Sequence, residues 1–169
     1  PSIFLKKNFG SKIMNIHIQD PKVSLNNFDY VVAPEHDGLE GINVLKSKGA
    51  IHYLTEAELL ENTNYLKPRI KKKKVIVFIA GGPNKYYDFN DEIIEKIFIK
   101  TKKNFINQGY QLIFIPSMRT PRRTVYKAQN FFDDDQIIIS DIDKKAYLSA
   151  LSLADHIIVT CDSTSMISE

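Results

Sequence analysis

The chain has 169 residues, 43% of them apolar and 25% charged, with a formal net charge of +3. That balance excludes a disordered or low-complexity polypeptide and suits one globular domain, or one domain with part of another. A single cysteine, Cys161, excludes a disulfide framework or cysteine metal cluster, and no apolar run approaches the ~18 residues of a membrane span.

In chain order, residues 2–9 read as a helix stopped by Gly10. Residues 14–18 form a short strand ending at Gln19-Asp20-Pro21, where proline stops the ladder. A second strand over 30–33 ends in Pro34-Glu35-His36-Asp37-Gly38, and a third spans 43–46 before a turn at Gly49. Thr55 with Glu58 forms a capping box, which predicts a helix running to Leu66. Residues 67–74, KPRIKKKK, are polar, basic and broken by a proline. A solvated linker is the favoured reading over a membrane or nucleic-acid patch, because no aromatics interleave the charges.

Beyond it the alternation is regular. Strands are predicted over 75–80, 111–115, 136–139 and 156–160. Helices are predicted from Asn90 to about Ile106 with Ile93, Ile94, Ile97 and Phe98 on one face, over 122–132, and over 144–154 with Tyr147, Leu148, Leu151 and Leu153. Strands buried on both faces and spaced by helices predict an α/β fold with doubly wound, Rossmann-like parallel sheets.

Ligands of open α/β sheets lie beyond the carboxyl ends of the strands. That rule selects residues 81–85, 117–120, Ser140-Asp141 and 162–165. At Gly81-Gly82 the lack of a Cβ lets backbone approach a phosphate, with a plain tight turn as the competing reading. Arg119 is a candidate bidentate clamp for a diphosphate, whereas Arg122 and Arg123 read as solvated surface. The apolar run ending the chain opens into a hydroxyl-rich turn and a helix start. Ser163, Thr164, Ser165 and Ser168 there are anion ligands by type, and Glu169 is an acceptor for a ribose hydroxyl. Cys161 in this turn reads as a buried inert thiol rather than a nucleophile.

His36 follows a strand and is flanked by Glu35 and Asp37, which could orient it as a general base; a hydrogen-bonded structural turn is the alternative. Asp20 ends the neighbouring strand and is expected to face the same cleft. Neither a G-x-G-x-x-G fingerprint nor a GK[ST] loop is present, and the four histidines lack metal-ligand spacing. Asp133-Asp134-Asp135 reads as a solvated loop. No metal or organic cofactor and no nucleic-acid partner is expected. Mild basicity suits an anionic ligand or an acidic membrane surface and requires neither. Residues 2–9 are too short for a signal peptide and contain Lys6 and Lys7, so the expected location is cytoplasmic, with peripheral contact at an inner membrane left open. A start at Pro1 rather than Met leads us to expect that both ends lack segments.

Several short motifs come in a shared order: Gln19-Asp20-Pro21, Pro34-Glu35-His36-Asp37, Gly41 with Asn43-Val44, and Gly49 with His52. Downstream stand Gly81-Gly82, Arg119-Thr120-Pro121, Ala154-Asp155, Thr160, Asp162-Ser163, Ser165-Met166 and Ser168-Glu169. Across nearly the whole chain this set resembles the mitochondrial fission ELM-type proteins, a family named from a plant fission factor with many bacterial relatives. Met118 departs from the pattern and leaves only Arg119 of a common arginine pair, and Lys85 stands in a variable loop.

The resemblance implies a two-domain architecture like that of GT-B glycosyltransferases. Residues 1–66 would be the C-terminal part of the acceptor-side domain, 67–74 the linker, and 75–169 the first part of the donor-side, nucleotide-binding domain. It further implies diphosphate contacts at Gly81, Gly82, Arg119, Ser163, Thr164 and Ser165, a ribose contact at Glu169, and His36 or Asp20 as base. The implied partner is a nucleotide-diphosphate sugar, with an unknown acceptor for which a cell-envelope molecule is one candidate. The leading reading is a metal-independent glycosyltransferase-like protein. Alternatives are a nucleotide-sugar epimerase of similar fold, for which no acid–base pair stands out, and a non-catalytic fission or envelope-dynamics protein.

Overall fold

The computed structural model describes residues 1–160 and 164–168. The chain divides into two compact units, one comprising Pro1–Tyr53 with Thr164–Glu169 and the other Leu54–Ser163.

The first unit opens with α1 (Ser2–Phe9), which gives way at Gly10 to a short 3-10 turn. Three parallel strands follow, β1 (Ile16–Ile18), β2 (Tyr30–Pro34) and β3 (Val44–Ser47), in the order β1-β2-β3. The strands fall where the sequence places them, but their connections carry only 3-10 turns, at Leu25–Asn27 and Glu35–Asp37. With no helix in either crossover, this sheet is not doubly wound. On one face Val31 and Ala33 are buried, while Ile16, Ile18 and Leu45 stay exposed, so the expectation of strands covered on both faces fails here. Buried Asn15 pins the sheet's amino edge: its amide donates to Asp29 Oδ2 (2.6 Å) and its side chain to Asn27 O (3.1 Å). The short α6 (Thr164–Ser168) completes this unit.

The second unit begins with α2 (Glu56–Asn62), capped as expected by Thr55 Oγ1, which accepts from Glu58 N. This helix stops earlier than the pattern implies and continues as 3-10 turns at Thr63–Tyr65 and Lys67–Arg69. It packs against α5 (Lys144–Leu153). Ser149 Oγ donates to Thr63 O (2.9 Å) and accepts from Leu66 N (3.0 Å). The boundary between units therefore falls before α2, and residues 54–66 belong with the second unit. Four parallel strands, β4 (Lys74–Ala80), β5 (Tyr110–Pro116), β6 (Ile137–Ile138) and β7 (His156–Val159), are ordered β6-β5-β4-β7. This is the first part of the Rossmann order, in which the chain steps outward twice and then crosses back to the other side of its first strand.

Between the strands run α3 (Asp91–Asn104) and α4 (Arg122–Phe131). Alternation along β4 and β5 sends Ile76, Phe78, Leu112 and Phe114 to one face, where they meet Ile94 and Phe98 of α3 and Val125 and Ala128 of α4. Phe78 stacks on Phe114, its neighbour across the ladder, at 5.5 Å, and Phe98 meets both rings edge-on. Within α3 the buried stripe is Ile94, Phe98 and Thr101, while Ile93 is exposed, so the apolar face is narrower than the sequence suggests. In α5 the buried residues are mostly small: Ala146, Ser149 and Ala150 beside Leu148. Close approach to α2 selects them over the larger residues that the apolar pattern picks out.

Candidate functional site

In the second unit β7 crosses back beside β4, so the strand order reverses between them, and open α/β sheets bind ligands beyond the carboxyl ends of the strands at such a reversal. Gly81 follows β4 and Thr160 follows β7; the Gly81 amide donates to Thr160 Oγ1 at 2.8 Å. Gly81 and Gly82 are both buried. The missing side chain of Gly82 makes room for the loop after β5: a Cβ there would lie 2.0 Å from the Arg119 carbonyl oxygen and 2.9 Å from Arg119 Cβ. The Arg119 backbone occupies the space on that side of Gly82. The glycine pair thus brings Arg119 to the carboxyl end of β4.

Two residues of that loop, Ser117 and Thr120, hold it in place. Thr120 Oγ1 donates to Ala80 O (2.7 Å) and accepts from Ser117 N (2.8 Å). The Ser117 amide also reaches Ala80 O (3.0 Å), and Pro121 then caps α4. A serine and a threonine three residues apart just after a strand were the readable signal for this turn. Beside it, at the carboxyl ends of β5 and β6, a cavity of about 230 Å³ is lined by Pro116, Met118, Arg122, Ser140, Asp141 and Ile142 among others. Arg123 turns away to pair with Asp91 at 3.3 Å.

In the first unit Asp20 and His36 do come together. With Gln19, Lys22, Pro34 and Asp37 they line a polar cavity of about 280 Å³ at the carboxyl ends of β1 and β2. Gln19 and Lys22 hold φ angles of 78° and 55°, left-handed values that side-chain-bearing residues seldom adopt. That geometry lets Lys22 fold back on Asp20, which accepts from the Lys22 amide (2.8 Å) and pairs with its ammonium. The Lys22 bonds hold the Asp20 carboxyl below the usual carboxylate range. Asp20 is therefore ionised at neutral pH and acts as a hydrogen-bond acceptor. His36 Nε2 lies 3.7 Å from Asp37 Oδ1, within the turn that Gly38 closes in the left-handed conformation.

Of the hydroxyl-rich turn, Cys161, Asp162, Ser163 and Glu169 lie outside the described residues, and for Thr164 and Ser165 only the backbone of α6 is described. Ser168 accepts from the Ala50 amide at 2.9 Å, and a Cβ on Gly49 would come within 2.7 Å of its Oγ. Its hydroxyl thus braces the turn after β3. Among the described residues no group of three His, Cys, Asp or Glu side chains is placed to hold a metal, and no helix is long and apolar enough to cross a membrane.

Comparison with known proteins adds two findings. The sequence model of a family described as Mitochondrial fission ELM1 matches residues 1–169. An uncharacterized protein of Rickettsia prowazekii, RP120, is 24% identical over an alignment covering 99% of this chain and 57% of the relative. The chain thus spans little more than half the length of that relative. No solved structure matches it significantly.

Proposed function

The chain belongs to the mitochondrial fission ELM1 family, and from that premise we propose that it binds a nucleotide-diphosphate sugar and transfers the sugar to an acceptor hydroxyl. The observation that carries this reading is the strand-order reversal between β4 and β7, at whose carboxyl ends Gly81 is tied to Thr160 and Arg119 is seated on Gly82. In the proposed reaction the bond between the sugar's anomeric carbon and the diphosphate oxygen breaks, and charge collects on the departing diphosphate. The Arg119 guanidinium and the hydroxyls of Ser163, Thr164 and Ser165 stabilise that charge without a metal ion. The cavity at the carboxyl ends of β5 and β6 takes the nucleoside. In the first unit His36 removes the proton from the acceptor hydroxyl, and the ionised Asp20 accepts a hydrogen bond that orients the acceptor.

Titration of uridine and guanosine diphosphates, followed by thermal unfolding, tests the binding step. A ligand at ~100 times its Kd stabilises by about 2.7 kcal/mol. Stabilisation by one diphosphate but not by its nucleoside supports the reading. No response to any nucleoside diphosphate overturns it in favour of a non-catalytic role. Interconversion of the donor sugar without transfer would assign an epimerase instead.

A further inference from the structure

Residues 67–74 contain six cations and no carboxylate. As a linker this segment would be loose, but its backbone is held. Buried Gln111, on β5, accepts from the amides of Lys71 (2.7 Å) and Lys72 (3.3 Å) through Oε1. Its Nε2 donates to Arg69 O (3.1 Å) and Asp135 O (2.8 Å). One buried amide thus clamps the strap to the amino edge of the second sheet, and the cationic side chains project from a defined scaffold.

Lys67, Arg69, Lys71, Lys73 and Lys74 are exposed, and the last turn of α3 brings Lys102 and Lys103 to the same edge. Asp135 pairs with Lys72 (2.8 Å) and Asp133 with Lys102 (3.2 Å). Asp155 is engaged by the Val75 amide (2.7 Å). Lys67, Arg69, Lys71, Lys73, Lys74 and Lys103 enter no ion pair among the described residues. Lys74 starts β4 and Gly81 follows its end, so the basic edge stands roughly 20 Å from Gly81 at ~3.3 Å per residue.

We propose that this basic edge is a docking surface for a bilayer bearing anionic lipid headgroups. Cations without an apolar centre suit a fluid array of headgroups better than a folded partner, whose interface needs a hydrophobic core. Single-stranded nucleic acid fits less well, because Tyr110 is half-buried under Lys74 Nζ at 5.3 Å and the exposed Tyr65 ring is tethered through its hydroxyl to Asp143 (2.8 Å). Docking through this edge uses the end of the strands opposite to Gly81 and Thr160.

Sedimentation of the full chain with vesicles tests the proposal. The chain should pellet with phosphatidylserine-containing vesicles, not with pure phosphatidylcholine, and should be released by high salt. At about fivefold in partitioning per lysine, Lys67→Gln, Lys71→Gln and Lys73→Gln combined should weaken binding roughly a hundredfold. A control combining Lys7→Gln, Lys12→Gln and Lys48→Gln has the same net charge and should bind as the parent does. Equal losses in both variants would reduce the effect to net charge and overturn the proposal. So would equal binding to neutral vesicles, or displacement from anionic vesicles by single-stranded DNA. Unchanged thermal unfolding of the strap variant confirms that any loss is not misfolding.

Discussion

The backbone carbonyl of Arg119 occupies the place where a side chain on Gly82 would begin, 2.0 Å from the position of a built Cβ. Two loops that leave neighbouring parallel strands are thereby locked in contact at the carboxyl edge of the sheet. Glycine at residue 82 serves the protein's own packing first and any ligand through it.

Gly82→Ala should therefore force the loop after β5 outward. The expected cost is about 1–3 kcal/mol in thermal or denaturant unfolding, the range for overpacking a filled site. Diphosphate affinity should fall with it, since Arg119 moves. Wild-type stability in the alanine variant would contradict the packing described here.

Thr160→Val keeps the shape of the side chain but strands the buried Gly81 amide, which should cost about 1–3 kcal/mol. Thr160→Ser retains the acceptor and should restore most of that loss. Equal stability of the valine and serine variants would show that the hydroxyl is not the partner that matters.

Arg119→Ala should weaken nucleoside diphosphate binding by at least tenfold. Arg123→Ala, which removes a surface pair with Asp91 at 3.3 Å, should leave it within twofold of the parent. Isothermal titration with uridine diphosphate separates the two.

Gln111 makes four hydrogen bonds from a buried position. Gln111→Leu should lose about 1–3 kcal/mol and free the strap. Amide hydrogen exchange at Lys71 and Lys72 should then accelerate, while exchange in the centre of β4 stays slow.

Asp143 caps α5 by accepting from the Ala146 amide at 3.0 Å. That bond, helped by the Tyr65 hydroxyl, holds its carboxyl below the usual carboxylate range. Because the folded value is the lower one, the stabilisation is complete above the ordinary carboxylate pKa and fades as pH falls through the folded value. Stability should thus decline below about pH 4. Asp143→Asn keeps a capping oxygen and should flatten this acid limb. Asp143→Ala should also cost about 1 kcal/mol at neutral pH. A parallel acid limb in the asparagine variant would remove Asp143 from the explanation.

The order and type of the strands and helices were legible in the chain because local patterns carry them. Continuous apolar runs mark β4 and β5, Asn90 and Thr55 stand at helix starts, and Gly10 stands at a helix end. The placement of Asp20 and His36 at adjacent strand ends was legible for the same reason, since parallel strands put their following residues on one edge. The unit boundary was not. A basic, proline-bearing stretch looks like a linker from composition, whereas its fate depends on Gln111, a residue far along the chain whose side chain is turned inward.

Sequence alone determined which segments become strands, which residues cap the helices, and which family the motifs resemble, because each depends on neighbours a few positions apart. Tertiary structure alone decided that β7 crosses back beside β4, that Arg119 fills the gap left at Gly82, and that α2 belongs with α5. These are contacts between distant positions, where the energy lies in shape and burial shared by two segments and neither segment specifies it by itself.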